Sequence, residues 1–191
     1  MRELVSYMFT SLDGFIADTD GGLEWVPIDD ELMRFANEYF SAAGGIVFGR
    51  NVYEMFVAYW DHLDPGQPSV TQLAIEFAEI FRKMPRIVAS TTLEAVDDQA
   101  TLIGGDLGGR ISALKQEPGT DLLLICGAEL RSTLTRLGLV DRYLTLAAPV
   151  VLGKGVPYFA DAEETLRLRL AGTRVFDGGV VLLDYEPANR A

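Results

Sequence analysis

Asp121-Leu122-Leu123-Leu124-Ile125-Cys126-Gly127-Ala128-Glu129-Leu130 is the stretch from which the fold is read. A nearly unbroken apolar run of strand length is the kind buried on both faces, as in a parallel sheet with helices above and below it. Gly127 ends the run, and the residues from there to about Leu137 have a helical pattern that Gly138 stops. The same arrangement occurs upstream. Gly45-Ile46-Val47-Phe48-Gly49 is a short buried-type strand, and Asn51 to Trp60 is helical in pattern.

Outward from these two junctions, residues 3–10 read as a strand that Ser11-Leu12-Asp13-Gly14 breaks, and 15–17 as a short extended piece. Residues 18–28, with Asp20-Gly21-Gly22, Trp25 and Pro27, read as a loop. Asp29 or Asp30 caps a helix to about Ala42. A loop over 61–69 precedes an amphipathic helix over 70–84, a strand over 86–89 closed by Ser90-Thr91-Thr92, a strand over 101–103 and a helix over 107–115. Beyond Gly138 the pattern changes. Residues 141–151, 165–176 and 179–185 are strand-like, with a hairpin signal at Asp177-Gly178-Gly179. Strand–helix alternation followed by strands predicts an α/β fold whose mostly parallel central sheet ends in antiparallel strands. No linker, repeat or low-complexity stretch divides the chain, so residues 1–191 are expected to form a single domain.

Composition narrows the functions. The chain has 191 residues, 16 Lys and Arg against 28 Asp and Glu, and a net charge of −12. Such a balance argues against nucleic acid or an anionic membrane as partner, though not against a local basic pocket. One cysteine, Cys126, and one histidine, His62, leave no intramolecular disulfide, no multi-cysteine zinc site and few histidine-based schemes; no metal is expected. No apolar run approaches 18 residues, and Met1-Arg2-Glu3-Leu4 does not begin a signal peptide, so a cytoplasmic protein is expected.

Chemistry is expected at the two strand-to-helix junctions. Free N–H groups at a helix start, with the Arg50 guanidinium beside them, suit a phosphate. The same residues also fit a turn glycine followed by a solvated arginine. At Cys126-Gly127-Ala128 small side chains would let a pyrophosphate approach the backbone, and tight strand–helix packing would need them equally. Two such junctions in one sheet strengthen the ligand reading, because open α/β sheets bind ligands beyond their C-terminal strand ends. Gly153-Lys154-Gly155 lacks the remaining residues of a P-loop, and the glycines of 104–109 have the wrong spacing. With His62 distant in sequence, Cys126 reads as a small buried residue rather than a nucleophile. His62 reads as a loop surface residue, and Asp29-Asp30-Glu31 as a helix cap with first-turn charge.

Four segments together resemble a known family: Ser11-Leu12-Asp13-Gly14-Phe15-Ile16-Ala17, Phe48-Gly49-Arg50-Asn51-Val52-Tyr53-Glu54, Ile125-Cys126-Gly127-Ala128-Glu129-Leu130 and Ala148-Pro149-Val150-Val151-Leu152-Gly153-Lys154-Gly155. In order and spacing they are similar to the dihydrofolate-reductase-like superfamily, and within it to stand-alone relatives of the reductase domain of riboflavin biosynthesis. The resemblance runs from residue 3 to about 186. It implies a three-layer α/β/α fold, NADPH as hydride donor and a homodimer. By position it places Gly49, Arg50 and Asn51 on the phosphates, with Arg50 selecting the 2′-phosphate. Ser90 and Thr91 would flank the adenosine-phosphate end, and Gly127, Ala128, Glu129 and Leu130 would face the pyrophosphate. Asp13 is implied as catalytic, and Trp25 and Tyr53 as substrate-binding.

The chain also departs from the family. Met33 stands near the position where dihydrofolate reductases carry an acidic residue on the first helix. Ile125-Cys126-Gly127 stands where the riboflavin reductases have Glu-Gly-Gly, and Val52 replaces a usual threonine. These readings together predict an NADPH-dependent reductase of a small heterocyclic, pterin- or pyrimidine-like substrate. Water or Asp13 would deliver the proton. A nucleotide-binding module with little catalysis, and dihydrofolate reductase itself, are the alternatives.

Overall fold

A computed structural model of the chain describes residues 1–160 and 165–188. Ten strands and five α-helices are seen among them. The strands are β1 (Leu4–Thr10), β2 (Phe15–Ala17), β3 (Gly45–Gly49), β4 (Arg86–Ala89), β5 (Ala100–Ile103), β6 (Leu122–Ile125), β7 (Arg142–Ala147), β8 (Val156–Pro157), β9 (Leu168–Val175) and β10 (Val181–Pro187). The helices are α1 (Asp30–Ala42), α2 (Arg50–Phe56), α3 (Gln72–Lys83), α4 (Leu107–Gln116) and α5 (Ala128–Arg136). Eight strands make one sheet in the order β5-β4-β3-β6-β1-β7-β10-β9. The first six are parallel, and β10 runs antiparallel between β7 and β9.

The apolar strands are buried on both faces, as expected, and their alternation feeds two cores. Val5, Ile46, Phe48, Leu123 and Ile125 pack with Leu32 and Phe40 of α1 and Phe77 and Phe81 of α3. Leu4, Val47, Leu122, Leu124 and Cys126 pack on the other side with Ile111 of α4 and Leu134 of α5. Full burial of such a side chain is worth about 1.5–3 kcal/mol. A one-residue slip of β3 or β6 would exchange the two sets, so the register, Phe48 beside Ile125, is firmly held. The result is a three-layer α/β/α architecture.

Three elements differ from the sequence reading. The helix expected over 51–60 is α2 followed by a π-helical turn over Val57–Asp61, which delivers Asp61 to Arg86. The strand expected over 141–151 ends at Ala147. Pro149 has no N–H to give a ladder, and Val150 N–H turns back to the Ala148 carbonyl. The segment beyond forms β8, which pairs antiparallel with β2. A Cβ on Gly155 would stand 2.2 Å from the Ala17 carbonyl oxygen, so this backbone approach requires glycine. The β9–β10 turn is the expected hairpin, with Gly179 at φ 82°.

Candidate functional site

The ends of β1, β3, β4, β5, β6 and β7 open on one edge of the sheet, and the loops following them gather there. Order in the sheet departs from order in the chain at β3-β6-β1, because β6 inserts between two strands formed earlier. Such a switch leaves a crevice at the strand ends.

The helices that start in this crevice are capped differently from the others. Asp29, Thr71 and Asp106 cap α1, α3 and α4 through side-chain oxygens. The caps of α2 and α5 are Gly49 and Gly127, which offer no side-chain acceptor. Neither glycine is required by its backbone, since φ is −87° at Gly49 and −67° at Gly127. Neither is required by close packing. A Cβ at Gly127 would meet nothing within 4 Å, and one at Gly49 would make only ordinary contacts, 3.5 Å to Leu130 and 3.8 Å to Cys126. At Gly127 the packing explanation therefore fails. Two helix starts with unspent N–H groups stand on neighbouring strands, with clear space before one of them. This suits an extended anion such as a diphosphate. Leu130 forms an apolar wall against Gly49, while Glu129 is exposed.

Arg50 is half exposed at the start of α2. It donates to Glu54 Oε1 at 3.2 Å and to Thr92 Oγ1 at 3.1 Å. Ser90 Oγ accepts from the N–H groups of Thr92 and Leu93, which shapes the turn after β4. Arg50 and the Ser90–Thr92 turn thus meet, with Thr92 making the contact and Thr91 and Asn51 exposed beside it. A second phosphate could exchange with Glu54 for this guanidinium.

Asp13 lies in the turn after β1, where Gly14 takes φ 86°. Its carboxylate accepts from Leu152 N–H at 3.1 Å and Gly153 N–H at 2.7 Å. A hydrogen bond from Ser11, with these two N–H groups, holds its pKa below the usual aspartate value. Asp13 is therefore a clamp between two loops, held as the anion. Trp25 is half-buried in the 18–29 loop and donates its indole N–H to the Gly22 carbonyl.

Tyr53 corrects an expectation. It does not face the crevice. Its ring is buried, its hydroxyl donates to Asp97 Oδ2 at 2.6 Å and accepts from Asp97 N–H at 3.0 Å. Burial and the Asp97 carboxylate raise its pKa. Asp97 in turn binds Arg86, which also holds Asp61 through two 2.8 Å contacts. Tyr53 sits one turn into α2, where the sequence does not tell which way a tyrosine points.

The acids at the start of α1 are all engaged. Asp29 caps Leu32 N–H, Asp30 pairs with Arg34, and Glu31 holds Arg174 and the Asp177 N–H of the β9–β10 hairpin. Met33 packs against the core. Cys126 is buried, and burial raises its thiol to about 12, so it is no nucleophile. Among the described residues no group of His, Cys, Asp and Glu could hold a metal ion, and no helix is long and apolar enough to cross a membrane. The sequence reading missed Thr92, the Asp13 clamp and the buried Arg131 of α5. Each depends on contacts between distant segments, and no local pattern announces them.

The sequence signature of the RibD C-terminal domain matches residues 2–182. An uncharacterized Bacillus subtilis protein, YyaP, is 30% identical over 184 residues, covering 96% of this chain and 94% of the relative. A Shewanella sp. PV-4 protein named for riboflavin biosynthesis superposes with a TM-score of 0.76 at 25% identity, over 98% of this chain and 99% of that one. Dihydrofolate reductase from Enterococcus faecalis, solved with NADP(H), shares the fold at 12% identity and a TM-score of 0.62, over 98% and 97% of the two chains.

Proposed function

The chain belongs to the RibD C-terminal domain family, and from that premise we propose that it is an NADPH-dependent reductase of a small heterocyclic C=N or carbonyl compound, pterin- or pyrimidine-like. The observation that carries this reading is the pair of glycine-started helices at the ends of β3 and β6, with open space at Gly127. Their N–H groups would hold the diphosphate, and Arg50 with Thr92 and Ser90 would hold the 2′-phosphate. When bound, the dinucleotide supplies the hydride. The Asp13 clamp keeps the 148–153 segment against the turn after β1, beside the crevice. Because Asp13 is held ionised, the proton that completes reduction comes from water rather than from this carboxyl group.

The test is twofold: binding of NADPH and NADH to the purified protein, then NADPH oxidation against pterins, pyrimidinones and quinonoid compounds. Oxidation with one class of compound and preference for NADPH supports the reading. Binding without turnover of any of them would favour a nucleotide-binding module instead. Dihydrofolate itself is expected to be a poor substrate. Pterin recognition and N5 protonation need a carboxylate; at the start of α1, Asp29 is taken up by the helix cap and Glu31 by the β9–β10 hairpin, while Asp30 is exposed to solvent beside Arg34. A kcat/KM for dihydrofolate within the usual enzyme range of about 10⁴–10⁸ M⁻¹s⁻¹ would refute this.

A further inference from the structure

Arg131, the fourth residue of α5, is 1% exposed. Its Nη1 donates to the Cys126 carbonyl at 3.2 Å, and Nε donates to the Tyr158 carbonyl at 3.0 Å, with Nη2 sharing that acceptor. Its guanidinium lies 4.2 Å from the centre of the Tyr158 ring. Every one of these partners is neutral, and no carboxylate pairs with Arg131 among the described residues.

Buried charges are normally paired, because carbonyls orient a guanidinium without cancelling it. Burial lowers the Arg131 pKa, yet an arginine starts so high that it stays charged. The fold therefore keeps a positive charge in a water-poor place. That place is specific: the carbonyl Arg131 holds belongs to Cys126, the residue immediately before Gly127, and Arg131 N–H itself bonds the Gly127 carbonyl. The charge stands directly behind the uncapped start of α5. Little water lies there to screen it, and it adds to the helix dipole at the same point.

We infer that Arg131 is a positioning residue whose buried charge anchors the diphosphate of the dinucleotide at Gly127–Ala128, the ligand supplying the negative charge that none of the described residues provides. The inference rests on the dinucleotide reading above. It differs from the role of Arg50, since a diphosphate is common to NADPH and NADH whereas the 2′-phosphate is not.

The experiment titrates inorganic diphosphate, NADPH and NADH into wild type, Arg131→Gln and Arg131→Lys, with a thermal melt of each protein. Glutamine keeps a donor for the carbonyls and removes the charge, while lysine keeps the charge. Arg131→Gln should weaken NADPH and NADH alike by about tenfold or more, and diphosphate likewise. Arg131→Lys should stay within about threefold of wild type. A structural role alone would lower the melting temperature without separating glutamine from lysine. Unchanged binding by a folded Arg131→Gln overturns the inference. So does a tenfold loss in Arg131→Lys, which decides the matter even if the glutamine variant does not fold. Wild type that binds diphosphate but neither dinucleotide would sink the reductase reading and leave the anchor standing. Wild type that binds none of the three would end both.

Discussion

A guanidinium with only exposed partners is free to change them. Arg50 makes its contacts to Glu54 and Thr92 in solvent, where an ion pair is worth little, so a phosphate can displace Glu54 at small cost. A charge-assisted contact to phosphate is worth about 1.5–3 kcal/mol. Arg50→Ala should accordingly weaken NADPH about ten- to a hundredfold and leave NADH nearly unchanged, as read by fluorescence titration. Equal losses would mean that Arg50 does not read the 2′-phosphate. Gly127 gives the complementary case. With φ −67° and nothing within 4 Å of a Cβ, the backbone at Gly127 accepts a side chain, and Gly127→Val places one there. The variant should melt like wild type and yet bind no dinucleotide; normal NADPH binding would remove this junction from the site. Both helix starts were legible in the sequence, because a glycine after a buried strand is a local pattern. Tyr53 was not: its direction is decided by Asp97, 44 residues away.

The sequence pattern locates the elements well where packing alone decides them. β3 and β6 are buried on both faces, so unbroken apolar runs reveal them; α3 shows its core through Phe77 and Phe81. It fails where a polar network bends the chain. A 3.6-residue period carries α2 on to Trp60, whereas the π-helical turn over Val57–Asp61 answers to Arg86, which is 2% exposed and held by Asp61 and Asp97. Through Tyr53 the same network ties α2 to the loop after β4, the two elements whose ends meet at Arg50 and Thr92. Burial pushes the Asp97 pKa up, but hydrogen bonds from Tyr53 and Gln99 N–H and the charge of Arg86 outweigh it, and the net shift is downward. A lowered carboxylate contributes stability above its unfolded pKa of about 3.9 and loses it as pH falls through the folded value. Asp97→Asn should cost about 1–3 kcal/mol at pH 7, because Arg86 keeps Asp61. The gap between denaturant melts of the two proteins should begin to narrow below about pH 4 and close as pH falls through the folded value. A difference that stays constant down to pH 3 would show that Asp97 does not carry this dependence.

At the scale of the whole molecule, the α/β/α layers stop short of the last strands. Helices α4 and α5 cover one face of the sheet, and among the described residues no helix follows β7. Register places Leu170 and Val175 of β9 on that face in line with Tyr185 and Val181 of β10, and Phe159 packs beside Tyr143 of β7. Leu170 is 50% exposed, Val175 70% and Phe159 46%. Apolar residues exposed along an end strand that no helix covers invite pairing with another surface. The expectation from the family resemblance, a homodimer, meets this requirement: a twofold axis would set the same face against itself and bury it on both subunits. A stable interface of this kind buries about 1,200–2,000 Å² in all. Leu170→Glu would place a charge in that face at a position already half exposed in the single chain. Its penalty therefore falls on association rather than on folding. Sedimentation at micromolar concentration should give a dimer for wild type and a monomer of unchanged melting cooperativity for Leu170→Glu. A monomeric wild type would leave the face to some other partner.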